Sequence, residues 1–191
     1  MVLAGLWAYS NTFSAPFFFD DVPAIVDNPS IRHLGAIGEV LSPSGSDGSG
    51  VAGRPLVNLS LALNYAWGGL DVRWYHAFNL IVHLLAGLTL FGIVRRTLDR
   101  RGNIQSVALA WVIAVIWTVH PLLTESVTCV IQRTESLMGL FYLLTLYCFI
   151  RGLGGARPPG ALGIVRDAGP NAVRPSALGE RAPPTLRSHF C

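Results

Sequence analysis

The sequence predicts an all-α protein of the multi-pass membrane class, a helical bundle, and three observations support this. The chain of 191 residues is 51% hydrophobic, with a mean hydropathy of +0.47. Only 13% of its residues are charged, about half the share of an average soluble domain. The apolar residues are gathered in long runs separated by polar segments, as expected where helices of about 20 apolar residues cross a bilayer.

These runs define the predicted organisation of the chain. We expect a partial first transmembrane segment over 1–19, an external loop with an acidic pair and an amphipathic surface helix over 20–73, transmembrane helices over 74–94, 105–119 and 136–151, a cytoplasmic basic loop over 95–104, an external polar segment over 120–135, and a disordered tail over 152–191.

The first segment, residues 1–19, carries no charge and is just long enough to cross a bilayer. It lacks the basic start and the small-residue cleavage site of a signal peptide. Pro16 would interrupt a helix near the end of the run. We therefore expect the later part of a span that begins upstream of Met1.

The loop over 20–73 is rich in turn residues such as Pro23 and Pro29. Within it, apolar residues recur every three or four positions with polar residues between them: Leu56, Leu59, Leu63 and Trp67, against Asn58, Ser60 and Asn64. This spacing predicts a short amphipathic helix. An apolar face on the membrane surface and an apolar face toward a protein core fit the pattern equally well.

The run over 74–94 is the clearest transmembrane helix, because aromatic residues begin it and arginines follow its uncharged body. The run over 105–119 ends at His120-Pro121. The run over 136–151 is short for a lone span and can be extended backwards through residues 127–131.

The charges predict the orientation of these helices. Residues 95–101 hold four arginines and one acid, whereas residues 20–73 hold six acids and three arginines. The excess of arginine in a short loop places residues 95–104 in the cytoplasm. The loop over 20–73 and the segment over 120–135 then share the opposite face, where they can form one site.

The last segment, 152–191, is rich in glycine, proline, alanine and arginine and shows no apolar periodicity. Six prolines and seven glycines interrupt any long helix there. We expect this tail to be disordered.

A polar face is predicted on the helix over 74–94. His76, Asn79 and His83 are spaced three and four residues apart and therefore line one side of it. Polar side chains in a membrane helix must face protein or a water-filled cavity, so a structural role in helix packing is favoured. A metal site is disfavoured because the two histidines lie two turns apart.

Two candidate groups of acids lie on the predicted external face. Asp20 and Asp21 follow an apolar run directly, and they are either a solvated helix boundary or functional acids. In the segment over 120–135, polar residues recur at spacings of three, four and three: Glu125, Thr128, Gln132 and Glu135. Arg133 borders this stripe and suits a lipid phosphate, because its guanidinium binds two oxygens at once. A local salt-bridge set of Glu125, Arg133 and Glu135 fits equally well.

Other functional classes find little support. The arginines sit between apolar segments without a basic stripe interleaved with aromatics, which disfavours nucleic acid as a partner. The three cysteines, Cys129, Cys148 and Cys191, form neither a metal motif nor a disulfide framework.

Several short motifs occur in an order that resembles a known family. They are Phe19-Asp20-Asp21 followed by Ile25-Val26-Asp27-Asn28-Pro29, then Arg54-Pro55-Leu56, Tyr75-His76-x-x-Asn79-x-x-x-His83, His120-Pro121-x-x-Thr124-Glu125, and Arg133-x-Glu135-x-Leu137. The chain resembles the amino-terminal part of the transmembrane and tetratricopeptide-repeat (TMTC-type) protein O-mannosyltransferases and their bacterial relatives, which have the GT-C glycosyltransferase fold.

The resemblance implies transfer of a sugar, mannose by family analogy, from a polyprenyl-phosphate donor to Ser or Thr hydroxyls of an acceptor protein. It maps the catalytic acids onto Asp20 and Asp21, and the donor phosphate is assigned to Arg133 on chemical grounds. His120, Arg54, Glu125 and Glu135 are expected to support the site. No metal or cofactor is implied beyond the lipid-linked sugar. The implied location is the bacterial inner membrane, or the endoplasmic reticulum membrane in a eukaryote.

A different class of function is also open to this sequence. In a non-catalytic membrane scaffold or transporter module, Asp20 and Asp21 would mark a membrane boundary and the polar helix faces would serve packing alone. Under the enzyme hypothesis, Asp21→Asn in a full-length relative should abolish transfer and leave expression intact. Under the scaffold hypothesis, changes at Asn79 or His83 should be the most damaging, through folding.

Overall fold

The computed structural model describes residues 1–42, 50–100, 102 and 104–155. Met1–Gly155 form one compact unit. Its α-helices are α1 (Val2–Ala8), α2 (Ile37–Leu41), α3 (Pro55–Gly68), α4 (Val72–Arg100), α5 (Ser106–Thr118), α6 (Glu125–Thr128) and α7 (Arg133–Gly155). Short 3-10 or π turns lie at Ser10–Ser14, Val22–Val26, Pro29–Ile31 and Pro121–Leu123. The described part contains no strand, which confirms the all-α class.

Helix α4 is the axis of the fold, and α5 and α7 pack along it. Its 29 residues correspond to about 44 Å at 1.5 Å per residue. The helix runs past the predicted end at residue 94 to Arg100, so most of the predicted basic loop is helical. Arginine is a good helix former, and its long side chain reaches water from an exposed face. The chain then turns at Gly102, whose φ of 70° suits glycine.

Membrane-spanning character is clearest in α4. Among the described residues, this helix alone is long and apolar enough to cross a bilayer, and α5 with residues Pro121–Thr128 could form a second, broken span bent by 56°. Helix α7 begins at Arg133, earlier than predicted, and continues through residues 152–155 of the predicted tail. The rest of that predicted tail lies outside the described residues.

The first segment is not one continuous helix. α1 ends at Ala8, a 3-10 turn follows at Ser10–Ser14, and Ala15 is extended. The Ser10 hydroxyl donates to the carbonyl of Trp7 at 2.9 Å. Such local bonds from serine compete with helical backbone pairing, and this competition favours the end of the helix at Ala8. Pro16 prevents a helix from continuing regularly past the 3-10 turn.

Helix α3 turns its polar side chains inward. Asn58, Ser60 and Asn64 are buried. Leu63 and Trp67 are instead 38% and 73% exposed. Leu56 is also exposed, whereas Leu59 is partly buried and packs against the apolar core. Most of the stripe of leucines and tryptophan therefore faces away from the core of this unit, and its contact with a membrane surface stays a prediction.

The predicted loop over 20–73 packs around a buried apolar core that it shares with neighbouring segments. Buried apolar side chains from the loop, from α3, from Tyr75 of α4 and from the segment before α7 form one cluster: Ala24, Ile25, Ile31, Val40, Val51, Val57, Leu61, Ala62, Tyr75 and Val130. This cluster packs the loop over 20–73, which contains the acidic pair, against residues just before α7.

Candidate functional site

Asp21 is anchored between two distant parts of the chain. The residue is 1% exposed. Its Oδ1 accepts a 2.7 Å hydrogen bond from the backbone N–H of Ile131, and its Oδ2 accepts one of 3.3 Å from the N–H of Phe18. The Cys129 thiol lies 3.9 Å from Oδ1. Asp21 therefore joins the loop over 20–73 to the segment over 120–135.

Asp20, its neighbour, is exposed. It follows Phe19, which has a φ of 47° although it is not glycine, a conformation that is strained for an aromatic residue. Strained backbone of this kind clusters at functional sites, where the surrounding structure maintains it. The anchored Asp21 supplies that constraint here. The pair thus divides into one buried anchor and one carboxylate that is exposed to solvent.

The segment between α6 and α7 is held by polar side chains from α4. Asn79 Nδ2 donates to the carbonyls of Cys129 and Val130 at 3.2 and 3.3 Å. His76 Nδ1 lies 3.2 Å from the carbonyl of Val127. Carbonyls and N–H groups that leave a helix must find partners when they are buried, and these side chains supply them.

The polar stripe predicted over Glu125, Thr128, Gln132 and Glu135 is wrong as a single helical face. α6 ends at Thr128, and α7 begins only at Arg133. Cys129 has an extended ψ of 121° between the two helices. Because the helix is interrupted here, the backbone N–H of Ile131 is free of helical pairing and donates its hydrogen bond to Asp21.

Arg133 lies inside the protein. Its exposed fraction is 0%, and each guanidinium nitrogen has a partner: Nε donates to Asn79 Oδ1 at 2.8 Å, Nη1 to Ser60 Oγ at 3.2 Å and Nη2 to the carbonyl of Tyr75 at 3.1 Å. The group also lies 4.4 Å from the ring centroid of Phe78. Burial lowers the pKa of Arg133 to about 9, against the opposing influence of Tyr75 and Asp21. This guanidinium joins α3, α4 and α7 and is not open to a donor phosphate.

The two histidines of the predicted polar face are both buried. His76 Nε2 lies 3.1 Å from the carbonyl of Ala15. His83 Nε2 lies 2.9 Å from the carbonyl of Thr118 and its ring is stacked on Trp117, with centroids 5.0 Å apart. These contacts join α4 to the first segment and to α5. No cluster of three His, Cys, Asp or Glu side chains capable of holding a metal occurs among the residues described.

Arg54 is an exposed cation on this side of the fold. It donates to the carbonyl of Gly50 at 2.9 Å and to Thr134 Oγ1 at 3.4 Å. A groove of about 230 Å³ extends from Arg54 between α3 and α7, with apolar walls that include Leu137 and Phe141. Arg54 therefore combines an accessible charge with adjoining apolar surface.

The other predicted supporting residues remain at the surface. Glu125, Glu135 and His120 are exposed. His120 Nδ1 accepts from the N–H of Leu122 at 3.3 Å and caps the turn at Pro121–Leu123. The structure shows no hydrogen bond that joins these three side chains to Asp20 or Asp21 within its described part.

The sequence did not single out the amide pair that supports the acidic loop. Asn28 Nδ2 donates to Asn58 Oδ1 at 3.0 Å and to the carbonyl of Ala24 at 2.9 Å. Asn58 Nδ2 donates to the carbonyl of Val40 at 2.8 Å. The available signal was Asn58 lying among apolar residues of α3, because a buried amide requires partners.

Curated proteins that are similar in sequence to this chain include three protein O-mannosyl-transferases. Protein O-mannosyl-transferase tmtc2 of Xenopus laevis is 35% identical over 156 residues, which are 77% of this chain and 18% of the relative. Protein O-mannosyl-transferase TMTC1 of Homo sapiens is 30% identical over 167 residues, 81% of this chain and 18% of the relative. TMTC3 of Mus musculus is 29% identical over 152 residues, 76% of this chain and 16% of the relative.

The chain thus spans less than a fifth of the length of these curated relatives. No protein-family model matches it, and no solved structure matches it.

Proposed function

Because this chain belongs to the TMTC-type protein O-mannosyl-transferase family, we propose that it forms the acidic-loop part of a membrane glycosyltransferase with a multi-pass GT-C fold. The proposed reaction transfers mannose from a polyprenyl-phosphate donor to Ser or Thr hydroxyls of an acceptor protein. The observation that carries the proposal is the exposed carboxylate of Asp20 beside an anchored Asp21.

Asp20 is the proposed general base. Its carboxylate takes the proton from the acceptor hydroxyl as that oxygen attacks the anomeric carbon of mannose. A new C–O bond forms, the bond between the anomeric carbon and the phosphate oxygen breaks, and the polyprenyl phosphate leaves with the electron pair. Attack on the side opposite the phosphate inverts the anomeric configuration. No metal ion is required by this scheme.

Asp21 acts as a positioning residue in this proposal. Its bond to the N–H of Ile131 fixes the backbone beside Asp20. A carboxylate that accepts a backbone N–H forms a stronger bond than a neutral acceptor does. Such support keeps the base in its productive position, and a misplacement of about 1 Å can cost about 100-fold in rate.

The donor phosphate is assigned to Arg54 in place of Arg133. The guanidinium of Arg133 is fully buried, whereas Arg54 is exposed at the end of the apolar groove between α3 and α7. An arginine beside apolar surface suits a lipid phosphate, because the phosphate pairs with the guanidinium and the chain covers the apolar wall. Arg133 keeps a positioning role through Asn79 and Tyr75.

The proposed surroundings follow from the same chemistry. The partners are membrane lipid, the lipid-linked sugar and the acceptor protein, without nucleic acid. The membrane is that of the endoplasmic reticulum in a eukaryote or the inner membrane in a bacterium. The competing hypothesis of a non-catalytic scaffold or transporter module assigns no chemical role to Asp20, and the experiment below separates the two.

The test uses a chimaera, because this chain spans less than a fifth of its relatives. Residues 1–155 replace the matching segment of the Xenopus laevis relative, and membranes receive polyprenyl-phosphate-linked radioactive mannose and an acceptor protein. The Asp20→Asn variant is expected to lose about 100-fold or more in transfer rate, as expected for loss of a general base. Glu39→Gln is the matched control, since Glu39 is an exposed acid on α2. Equal activity of the two variants would refute the role of Asp20.

A further inference from the structure

A second cavity lies at the opposite end of α4 from the acidic pair. It has a volume of about 410 Å³ and is bounded by α4 and α7. His76 contacts the backbone of Ala15 and Val127, near the acidic pair. From His76 to Arg96 in the cavity wall, α4 rises about 30 Å at 1.5 Å per residue. This equals the thickness of the hydrocarbon core of a bilayer. The cavity is therefore separate from the proposed transfer site, and the topology predicted from the charges places it at the other boundary of the membrane.

The wall of this cavity changes from apolar to charged along α4. Leu85 and Leu88 come first, and Arg95, Arg96 and Asp99 follow toward the helix end. From Leu85 to Asp99 the helix rises about 21 Å. One leaflet contributes about 15 Å of hydrocarbon, half of the usual core, which leaves several ångströms for a headgroup. The length and polarity of the groove thus match one lipid in one leaflet.

We propose that this groove binds a glycerophospholipid, with the phosphate at Arg95 and Arg96 and an acyl chain along Leu85 and Leu88. The binding site is distinct from the polyprenyl-phosphate donor site and does not depend on catalysis. Its expected role is to hold the α4–α7 pair at this boundary of the membrane.

The cationic end of the groove is preorganised. Arg96 Nη2 donates to the Tyr147 hydroxyl at 3.0 Å, and its guanidinium carbon lies 5.0 Å from the Tyr147 ring centroid. The close approach of α7 depends on Gly92, where an added Cβ would lie 2.8 Å from Tyr147 Cε2. An arginine already held by an aromatic ring loses less conformational freedom when it binds a phosphate.

Asp99 partly neutralises the positive charge of Arg95 in the region proposed for the headgroup. Its carboxylate lies 3.7 Å from Arg95 Nε, and the two side chains are 47% and 52% exposed. It also accepts a hydrogen bond from Ser106 Oγ. An exposed pair of this kind is weak, so a phosphodiester can compete for Arg95. A protein helix placed in the groove would instead have to bury these charges at a cost in desolvation.

The first experiment measures lipid retention by the full 191-residue chain in detergent, by native mass spectrometry. The probes are dioleoyl phosphatidylglycerol and dioleoyl phosphatidylethanolamine. The double variant Arg95→Gln/Arg96→Gln is expected to retain either lipid about tenfold less than the unmodified chain, because two charge-assisted contacts are lost. Arg73→Gln is the matched control, since Arg73 is an exposed arginine at the start of α4. Equal retention by the double variant and the control would overturn the proposal.

A second experiment keeps the proposal falsifiable if the double variant does not fold. The unmodified chain is reconstituted with a phosphatidylcholine analogue that carries a diazirine on its acyl chain, and the labelled peptides are identified. We expect labelling of residues 85–92. Unlabelled phospholipid should prevent this labelling, whereas glycerophosphate should not. Labelling confined to other segments, or equal competition by glycerophosphate, would refute a lipid site. A wild-type pattern of labelling in the Asp20→Asn variant shows that this site is independent of transfer.

Discussion

The carboxylate of Asp21 accepts a 2.7 Å hydrogen bond from the backbone N–H of Ile131, 110 residues later in the chain. This bond closes the loop after the first segment onto the break between α6 and α7. Its neighbour Asp20 remains exposed, so one acid of an adjacent pair is held in the structure while the other faces solvent.

Asp21→Asn is expected to lower the free energy of unfolding by about 1–3 kcal/mol, because the amide loses the charge-assisted bond and cannot accept from both N–H groups. Asp20→Asn should change it by less than about 0.5 kcal/mol, as exposed substitutions usually do. Thermal unfolding of both variants in detergent measures the difference. A larger loss for Asp20→Asn would contradict the assigned roles.

Arg133 and Asn79 are expected to be energetically coupled. Arg133→Met leaves Asn79 Oδ1 and Ser60 Oγ without their donor, and Asn79→Ala removes the acceptor of Nε. Each single change should cost about 2–4 kcal/mol, since a buried polar group loses its partner. A double-mutant cycle of unfolding free energies should give a coupling of about 1 kcal/mol or more. Simple additivity would show that the 2.8 Å bond contributes little.

Two glycine substitutions should act in opposite directions. A Cβ at Gly87 would lie 2.6 Å from Thr118 Oγ1, whereas one at Gly139 meets nothing within 4 Å. Gly87→Ala should therefore destabilise the α4–α5 contact by about 1–3 kcal/mol through overpacking. Gly139→Ala should stabilise α7 by about 0.5–1 kcal/mol, because alanine loses less conformational freedom in a helix. Thermal unfolding in one detergent compares the two, and stabilisation by Gly87→Ala would refute the close packing.

Cys129 should react slowly with iodoacetamide in the folded protein. Burial raises the pKa of the Cys129 thiol, and the negative charge of Asp21 raises it further. Asp21→Asn removes the second cause and should speed alkylation at any pH below that pKa, because the thiolate is the reactive form. The rate is measured against pH with Cys148 and Cys191 replaced by Ser. A pH profile unchanged by Asp21→Asn would contradict the electrostatic contribution.

The same raised pKa has a consequence for stability. Above the ordinary thiol pKa of about 8.5 the unfolded chain loses this proton before the folded chain does. The contribution of Cys129 to the free energy of unfolding should therefore decrease as the pH rises from about 8.5 toward the pKa of the folded state. Unfolding of the Cys129→Ser variant across this range supplies the control.

The orientation of the chain can be tested with reporter fusions. Fusions after residue 47 and after Asp99 should give opposite signals, because the acidic loop and the arginine-rich end of α4 are predicted on opposite faces of the membrane. Matching signals would refute the topology and the shared location of the two polar regions.

The sequence by itself determined the all-α class, the main helices and the family. Residues 74–94 and 105–119 were predicted as helices, and α4 and α5 include nearly all of them. An uninterrupted apolar run is a local property, so it can be recognised without tertiary information. The order of the short motifs was sufficient to identify the family, because an order of motifs along the chain can be recognised without knowing the tertiary structure.

Only the tertiary structure decided what each polar residue does. Asp20 and Asp21 are chemically identical neighbours, and their difference arises from a backbone N–H 110 residues away. Arg133 has the chemistry of a phosphate ligand, yet it is enclosed by α3 and α4. Helical periodicity also continued the polar stripe through Cys129, where the chain leaves the helix. Burial and long-range hydrogen bonds arise from packing between distant segments, and a pattern of neighbouring residues contains no measure of that packing.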